Sequence, residues 1–200
     1  MKPAKQQYHH GDLYQSLIDA SKEILQANGF GALSMRNLAE KTNVSRAAPY
    51  HHFKDKHALL CAIAEDGFLQ QDILLAQIIG NSGEKDPIKG FEEFVVAYLK
   101  FAADNKEQYD LMYSGAIWKS GEVTPSLDAA AKSSFKLWLS QIEKLQQDGI
   151  LKQGVSPLRL AQVTWATLHG LCRLSNDGIY VNPKDIDDMG RAAVKLLLPQ

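Results

Sequence analysis

The chain has 200 residues, 45% of them apolar and 22% charged. That composition excludes wholesale disorder, and the length suffices for a buried core without disulfide or metal support. The apolar runs, such as Phe94 to Leu99, are too short to span a bilayer. The first dozen residues are polar and show no signal-peptide h-region, so a cytoplasmic protein is expected. Two cysteines, Cys61 and Cys172, lie far apart with no zinc-type spacing, and read as buried thiols of a reducing cytosol. The net charge of −1 hides an asymmetry: residues 1–60 carry +3 and five of the six histidines, and the rest carries −4. A mildly basic head on an acidic body points to a polyanion partner for the head alone.

Taken in chain order, the elements are helical. Leu13, Leu17, Ala20, Ile24 and Ala27 step by four and three along one face, with Asp12 as the expected cap and Gly29 as the stop. Ser34 caps a short helix through Lys41, and Ser45 opens another that ends near Phe53. A longer helix follows from Lys56 to Ile79 and is broken at Gly80–Gly83. Asp86-Pro87 restarts the pattern, with Ile88, Phe91, Val95, Tyr98 and Ala102 on one face. A short helical piece spans Asn105 to Ser114, and residues 114–124 read as a loop. Pro125 begins a helix with Leu127, Ala131, Phe135, Trp138, Ile142 and Leu145 in register, closed by Gly149. Pro157 begins the next, carrying Leu158, Ala161, Trp165, Leu168 and Cys172. The last runs from Lys184 to Leu198. Sustained period-two alternation is absent, so the expected fold class is all-α.

The stretch Ser34 to Lys56, SMRNLAEKTNVSRAAPYHHFKDK, carries the most chemistry. Two short helices are joined by Thr42-Asn43-Val44, a turn too short for a packed antiparallel hairpin, so they cross steeply as in a helix-turn-helix. Leu38, Ala39 and Val44 supply the apolar wedge, and Asn43 supplies a residue that tolerates the left-handed conformation. Ala47 and Ala48 let the second helix approach a surface closely. Arg46 offers a planar donor fork for guanine or phosphate. Tyr50, His52, Lys54 and Lys56 offer phosphate donors, which position a protein on DNA without reading its sequence.

The run VSRAAPYHHFKDKHALL, from Val44 to Leu60, resembles the recognition-helix signature of the TetR family of transcriptional regulators. Farther on, Trp165-Ala166-Thr167-Leu168-His169-Gly170 resembles the WHG motif of one group of TetR-type C-terminal domains. The resemblance implies a homodimer of nine- to ten-helix chains, with an N-terminal three-helix helix-turn-helix head and a C-terminal bundle that senses a ligand and dimerises. Residues 1–56 are then the DNA-binding domain and 57–200 the ligand-binding and dimerisation domain. The implied DNA-binding set is Ser34, Arg36, Ser45, Arg46, Ala47, Ala48, Tyr50, His51, His52, Lys54 and Lys56. Two positions depart from the common family pattern. Thr42-Asn43 replaces Ala-Gly at the turn, and Pro49 lies inside the recognition helix, where a missing N–H predicts an irregular helix start.

Other classes are weaker. The chain lacks GxSxG, GxxxxGK and paired metal-ligand motifs, so no enzyme, cofactor or metal is expected. Gly29-Phe30-Gly31 lacks the third glycine and the preceding strand of a dinucleotide fingerprint. His51, His52 and His57 lack the spacing of a metal site, and His9-His10 reads as a solvated arm or a contact near the DNA minor groove. A protein-only helical adaptor would have no use for the Arg46/Tyr50/His52/Lys54/Lys56 face.

The body is rich in large side chains, and such rings at helical spacing serve either as core or as pocket wall. Tyr98, Phe101, Tyr109, Met112, Tyr113, Phe135, Trp138, Trp165 and His169 are the candidate ligand contacts. No Arg/Lys cluster there calls for an anion, so a fairly apolar or aromatic effector is expected. The final helix carries Ile186, Met189, Ala193 and Leu196 on one face, with Val194, Leu197 and Leu198 in addition. That surplus points to a homodimer interface built from the last two helices, with Val194 and Leu198 in the contact. The overall reading is a repressor bound to double-stranded operator DNA and released by a small-molecule effector, with no membrane association.

Overall fold

The computed structural model describes residues 10–83, 86–179 and 182–198. Among them are nine α-helices and no strand. The all-α expectation is met. Helix α1 spans His10–Asn28, beginning two residues ahead of the expected cap, and α2 spans Met35–Lys41. The remaining helices are α3 Lys56–Ile78, α4 Pro87–Asp104, α5 Lys106–Met112, α6 Gly115–Trp118, α7 Pro125–Gln147, α8 Pro157–Asn176 and α9 Ile186–Leu197. The stretch read as a loop after Ser114 thus contains one helical turn, α6, capped by Ser114 Oγ accepting from the Ala116 N–H. The expected break after α3 is a wider π-type turn over Ile79–Gly83.

The residues group into two compact units. The first takes the chain through Glu65 together with Glu107–Leu127, and the second takes Asp66–Lys106 and Asp128–Gln200. In the first unit Leu17, Ile18, Leu25, Leu38, Leu59 and Ile63 are essentially inaccessible. Gln108 joins α5 to α3 there by donating to the Ile63 carbonyl at 3.0 Å. His57 Nε2 lies 3.1 Å from the Glu122 carbonyl and 3.5 Å from Cys61 Sγ. Both cysteines are buried and free, as expected.

In the second unit, α4 is the central element. Phe91, Phe94, Val95, Tyr98, Leu99 and Ala102 are buried along it. Ile88, expected on the same face, sits in the first turn and is exposed, as is Leu158 at the start of α8. Helix α9 lies close against α4, because Gly190 has no side chain: a Cβ there would stand 3.0 Å from Val96 Cγ2. Lys100 on α4 pairs with Asp187 on α9 at 2.9 Å. Asn176, at the end of α8, donates to the Ala102 carbonyl at 3.0 Å, and Lys106 donates to the Asn176 carbonyl.

This arrangement corrects the expectation for Val194. It is completely buried within its own chain rather than offered to a partner, because the α9 face holding Ile186, Gly190, Ala193 and Val194 is buried, with Gly190 against α4. Leu196, one face away, is 74% exposed.

The reversal between α2 and the next turn rests on Asn43, whose φ of 54° is left-handed. Valine is among the residues least able to adopt that conformation. Asn43→Val is therefore expected to cost about 1–2 kcal/mol relative to Asn43→Gly. Urea denaturation of the two variants measures the difference, and equal midpoints would show that the turn does not require this geometry.

Candidate functional site

Helix α2 is fixed at both ends by its own polar side chains. Ser34 Oγ accepts from the Asn37 N–H at 3.1 Å, and Thr42 Oγ1 donates to the Leu38 carbonyl at 2.8 Å. Asn37 Nδ2 also donates to the Ala32 carbonyl, and Lys41 pairs with Glu23 of α1 at 2.7 Å. The Val44 N–H returns to the Ala39 carbonyl at 3.0 Å. Leu38 and Ala39 are fully buried beneath the turn and Val44 is half-buried, as the wedge requires.

The second element departs from the expected α-helix. It is a 3₁₀ turn over Ala48–His51 that follows Ala47 with no side-chain cap. The Ala48 N–H bonds to the Ser45 carbonyl and the Tyr50 N–H to the Ala47 carbonyl, both three residues back. Pro49 supplies no N–H for a bond to the Ser45 carbonyl, which shifts the ladder to this tighter pattern. Ser45 is thus not the N-cap that the sequence suggested. Pro49 itself is buried. The element closes on the Phe53 N–H, which bonds to the Pro49 carbonyl at 2.9 Å.

What this turn displays is a polar surface. Ser45, Arg46, Ala47, His51 and Lys54 are exposed, and Tyr50 is 56% exposed. Ala48 and Ser34 are half-buried, and Arg36 is exposed but paired with Glu40 at 3.0 Å. His52 is held against Tyr14, ring centroids 6.1 Å apart, and Tyr14 lies 5.2 Å from Phe53. Lys56 donates to the Phe30 carbonyl at 3.2 Å, so it fastens α3 to the α1–α2 connection. His9 lies outside the described residues, as does the His10 side chain. Among the described residues no group of three or more His, Cys, Asp or Glu is placed to hold a metal ion.

The candidate ligand residues divide. Tyr109 and Met112 are fully buried in the first unit, with Tyr113 4.9 Å from Tyr109 between ring centroids. Trp118 donates to the Met112 carbonyl at 2.7 Å. The others lie in the second unit. Trp138 donates from its buried Nε1 to the Ala161 carbonyl at 3.1 Å and stands 5.4 Å from Phe94. Trp165 donates to the Tyr98 hydroxyl at 3.2 Å and stands 5.6 Å from Phe135. Tyr98, Phe135, Trp138 and Trp165 are thus one aromatic array, joined through Phe94. His169, one turn beyond Trp165 on α8, is half-buried. Burial, with the Arg173 charge as the lesser cause, holds its imidazole below the ordinary value of 6.5.

Beside this array is a small crevice walled by Leu75, Phe91, Phe94, Trp138 and Leu145, with Gln141 and Lys144 also lining it. A shallower, open one runs between α3 and α4 past Ile73, Lys100 and Phe101. Of the candidate ligand residues, Trp138 lines the first and Phe101 the second. Gln71 and Asp72, on α3 before Leu75, were missed in the sequence. Gln71 is 5% exposed and its Nε2 has no partner. Burial raises the Asp72 carboxyl above its ordinary value, and a hydrogen bond with Ser134 of α7 opposes that rise. A glutamine in register with Phe68 and Leu75 was the available signal.

Two profiles match the chain: the tetR family of bacterial regulatory proteins over residues 17–63, and a tetracyclin repressor-like C-terminal domain over residues 91–197. The chain belongs to the TetR family. The Tn10 TetC protein of Escherichia coli is 28% identical over 102 residues, covering 51% of this chain and 50% of that protein. The class D tetracycline repressor of Escherichia coli is 42% identical over 50 residues, a quarter of this chain and 23% of that repressor. The matched part therefore spans half or less of these curated relatives. A solved structure of a Rhodococcus sp. RHA1 protein of unknown function is 30% identical with a TM-score of 0.80, covering 98% of this chain and all of that one. The TetR-type expectation drawn from Val44–Leu60 is thereby met.

The two shifted groups make opposite statements about pH. His169 is held below 6.5, so the unfolded chain takes up this proton first. Its contribution to stability is lost as pH falls from 7 through 6.5 toward the lower folded value. Asp72 is held above 3.8, so its charge opposes folding at neutral pH. Thermal melts between pH 4 and 7.5 are expected to show a shallower pH slope near 6 for His169→Gln. They are also expected to show a higher melting temperature for Asp72→Asn at pH 7, with the gain shrinking in acid. Unchanged slopes and melting temperatures would remove these assignments.

Proposed function

We propose that this TetR-family chain is a homodimeric, sequence-specific DNA-binding repressor that a small, fairly apolar molecule releases from its operator. The observation that carries the reading is the α2–turn–3₁₀ unit. Its apolar side is buried at Leu38, Ala39 and Pro49, and its outer side presents Arg46, Tyr50, His51 and Lys54 with two small alanines between them. Small residues beside a planar donor fork suit close approach to a base edge, and the flanking cations and hydroxyls suit phosphates. Residues 1–56 carry the DNA contact, and 57–200 carry sensing and pairing. Repression is the reading favoured by similarity to a tetracycline repressor.

Two such heads, related by a two-fold axis, insert about one DNA turn apart, roughly 34–36 Å. A ligand that binds better to a state with another separation lowers operator affinity by that difference in binding. Pairing is assigned to α8 and α9. Val163 is 60% exposed, and Ala166, Gly170 and Leu174 continue the same face of α8. On α9, Ala192 and Leu196 are exposed. A small-residue stripe flanked by exposed aliphatics lets two helices approach closely and bury apolar area.

Capture of genomic DNA fragments by the full chain supplies the operator. Arg46→Ala is then expected to lose about 1–3 kcal/mol on operator and little on random duplex if it reads a base. Lys54→Ala is expected to weaken both duplexes alike and to flatten the salt slope by about one unit. Equal losses on both duplexes for Arg46→Ala would reassign it to phosphate, and failure of the chain to retain any duplex would refute the reading.

The pairing surface has its own test. Val163→Glu and Leu174→Glu alter exposed side chains, so folding is expected to survive. Sedimentation of the folded variants is expected to show monomers where the parent chain is a dimer. Dimers that persist in both variants would move the interface off α8.

A further inference from the structure

The head presents two arginines, Arg36 on α2 and Arg46 in the turn that follows. Arg36 is the one that another side chain holds. Its Nε donates to Glu40 Oε1 at 3.0 Å, one helical turn farther along α2. Met35, Leu38 and Ala39 bury the inner side of that helix. Lys41 is tied to Glu23 of α1 at 2.7 Å, which sets its flank of α2 toward α1. At about 100° per residue, Arg36 and Glu40 fall on the opposite flank. Both are exposed, so the pair stands on the solvent side of the α2–turn unit, clear of α1.

An exposed ion pair at this spacing adds little to stability, so its worth lies in what it presents. The bond uses only the Nε–H of the guanidinium. The terminal fork, Nη1 and Nη2, has no partner among the described residues, and neither has Glu40 Oε2. A planar fork already fixed by a carboxylate loses less freedom when it binds. Side by side, the pair offers two donors and then an acceptor. The major-groove edge of a G·C pair offers the complement: acceptors at guanine N7 and O6, then the cytosine N4 donor. An A·T pair instead sets the adenine N6 donor against the fork and the thymine O4 acceptor against the carboxylate. A backbone phosphate also fits poorly, because the carboxylate beside the fork repels it.

We propose that Arg36 and Glu40 together read one G·C pair in each half-site, Arg36 on the guanine and Glu40 on the cytosine amine. The inference rests on the reading of the head as an operator-binding unit and names the base pair that its first short helix recognises. Glu40 is at the same time a positioning residue, because its carboxylate sets the plane of the guanidinium. Its charge also weakens non-specific binding to phosphate, which sharpens discrimination between sequences.

The test is selection by the full chain from a pool of randomised DNA duplexes. The selected duplex and its single-pair variants are then titrated at several salt concentrations. The parent chain is expected to select a G·C pair whose replacement by A·T costs about tenfold in affinity, within the range for one bidentate contact. Arg36→Ala and Arg36→Lys are each expected to abolish the preference at that pair alone, since lysine keeps the charge without the fork. Glu40→Gln is expected to weaken the same preference while binding random duplex more tightly and with a steeper salt dependence. An ion pair with a merely structural role would move none of these readouts. The altered side chains are exposed and α2 keeps its Ser34 and Thr42 bonds, so folding is expected to survive. A cooperative melt checks this, and Arg36→Lys serves if Arg36→Ala does not fold. A base preference unchanged at every pair in the Arg36 variants overturns the proposal. So does an equal loss on selected and random duplex, which makes Arg36 a phosphate contact, or a Glu40→Gln chain with unchanged preference and salt dependence. In those cases the chain still selects a sequence and the regulator reading stands, whereas a parent chain that selects none loses both.

Discussion

The left-handed residue at the α2 exit is the constraint on which the candidate DNA surface depends. With φ of 54° at Asn43, the chain turns sharply enough for the Val44 N–H to reach back to the Ala39 carbonyl. Only then do Leu38 and Ala39 lie buried beneath the turn, and the outer face of 45–54 is left to solvent. Asparagine is one of the few non-glycine residues that takes this conformation at small cost. Its short side chain also leaves the turn uncluttered. Ser34, Asn37 and Thr42 bond to backbone groups around α2, so a seven-residue helix too short to persist alone is held at both ends.

This much was legible in the sequence, because it depends on single residues with strong local rules. Serine before a helix, asparagine in a tight turn and apolar residues at Leu38 and Ala39 each have one dominant physical reading. Pro49 was legible in kind but not in outcome. The rule that it supplies no donor forecasts irregularity, whereas the form of the irregularity depends on which carbonyl each remaining N–H can reach. Here Ala48 and Tyr50 bond three residues back, and the element tightens into a 3₁₀ turn. A 3₁₀ turn rotates successive side chains by about 120° instead of 100°. Side chains within Ala48–His51 therefore fan out more widely than α-helical spacing implies.

The body was less legible, for a definite reason. Large rings at helical spacing mark the inward face of a helix, and the same pattern serves a solid core and a lined cavity. Tyr109 and Phe94 look alike in sequence. One is fully enclosed in the first unit, and the other borders a crevice in the second. What separates them is how many neighbours arrive from distant segments, which periodicity does not encode. The same holds for Val194. Its surplus apolarity reads as a partner face until the glycine at 190 is seen to bring α9 close against α4. Gly190 is itself unremarkable in sequence, since a helical glycine has several causes.

Polar atoms in the aromatic region discriminate better than the rings do. The indole N–H groups of Trp138 and Trp165 both end on acceptors of their own unit, the Ala161 carbonyl and the Tyr98 hydroxyl. Those bonds fix the two tryptophans, because a ring tied at its edge resists reorientation, and Trp138 is so held as a wall of the crevice. A wall contributes area and shape but little chemical selectivity. Selectivity in such a place comes from buried groups whose hydrogen-bonding capacity is unspent, since an occupant that fails to use them pays their desolvation. On α3, Gln71 carries a buried amide nitrogen whose capacity is unspent, and Asp72, half-buried and displaced from its ordinary titration, stands next to it in sequence. Neither belongs to the stripe of large side chains that draws attention in the sequence. In a helical bundle the periodic apolar residues build the container.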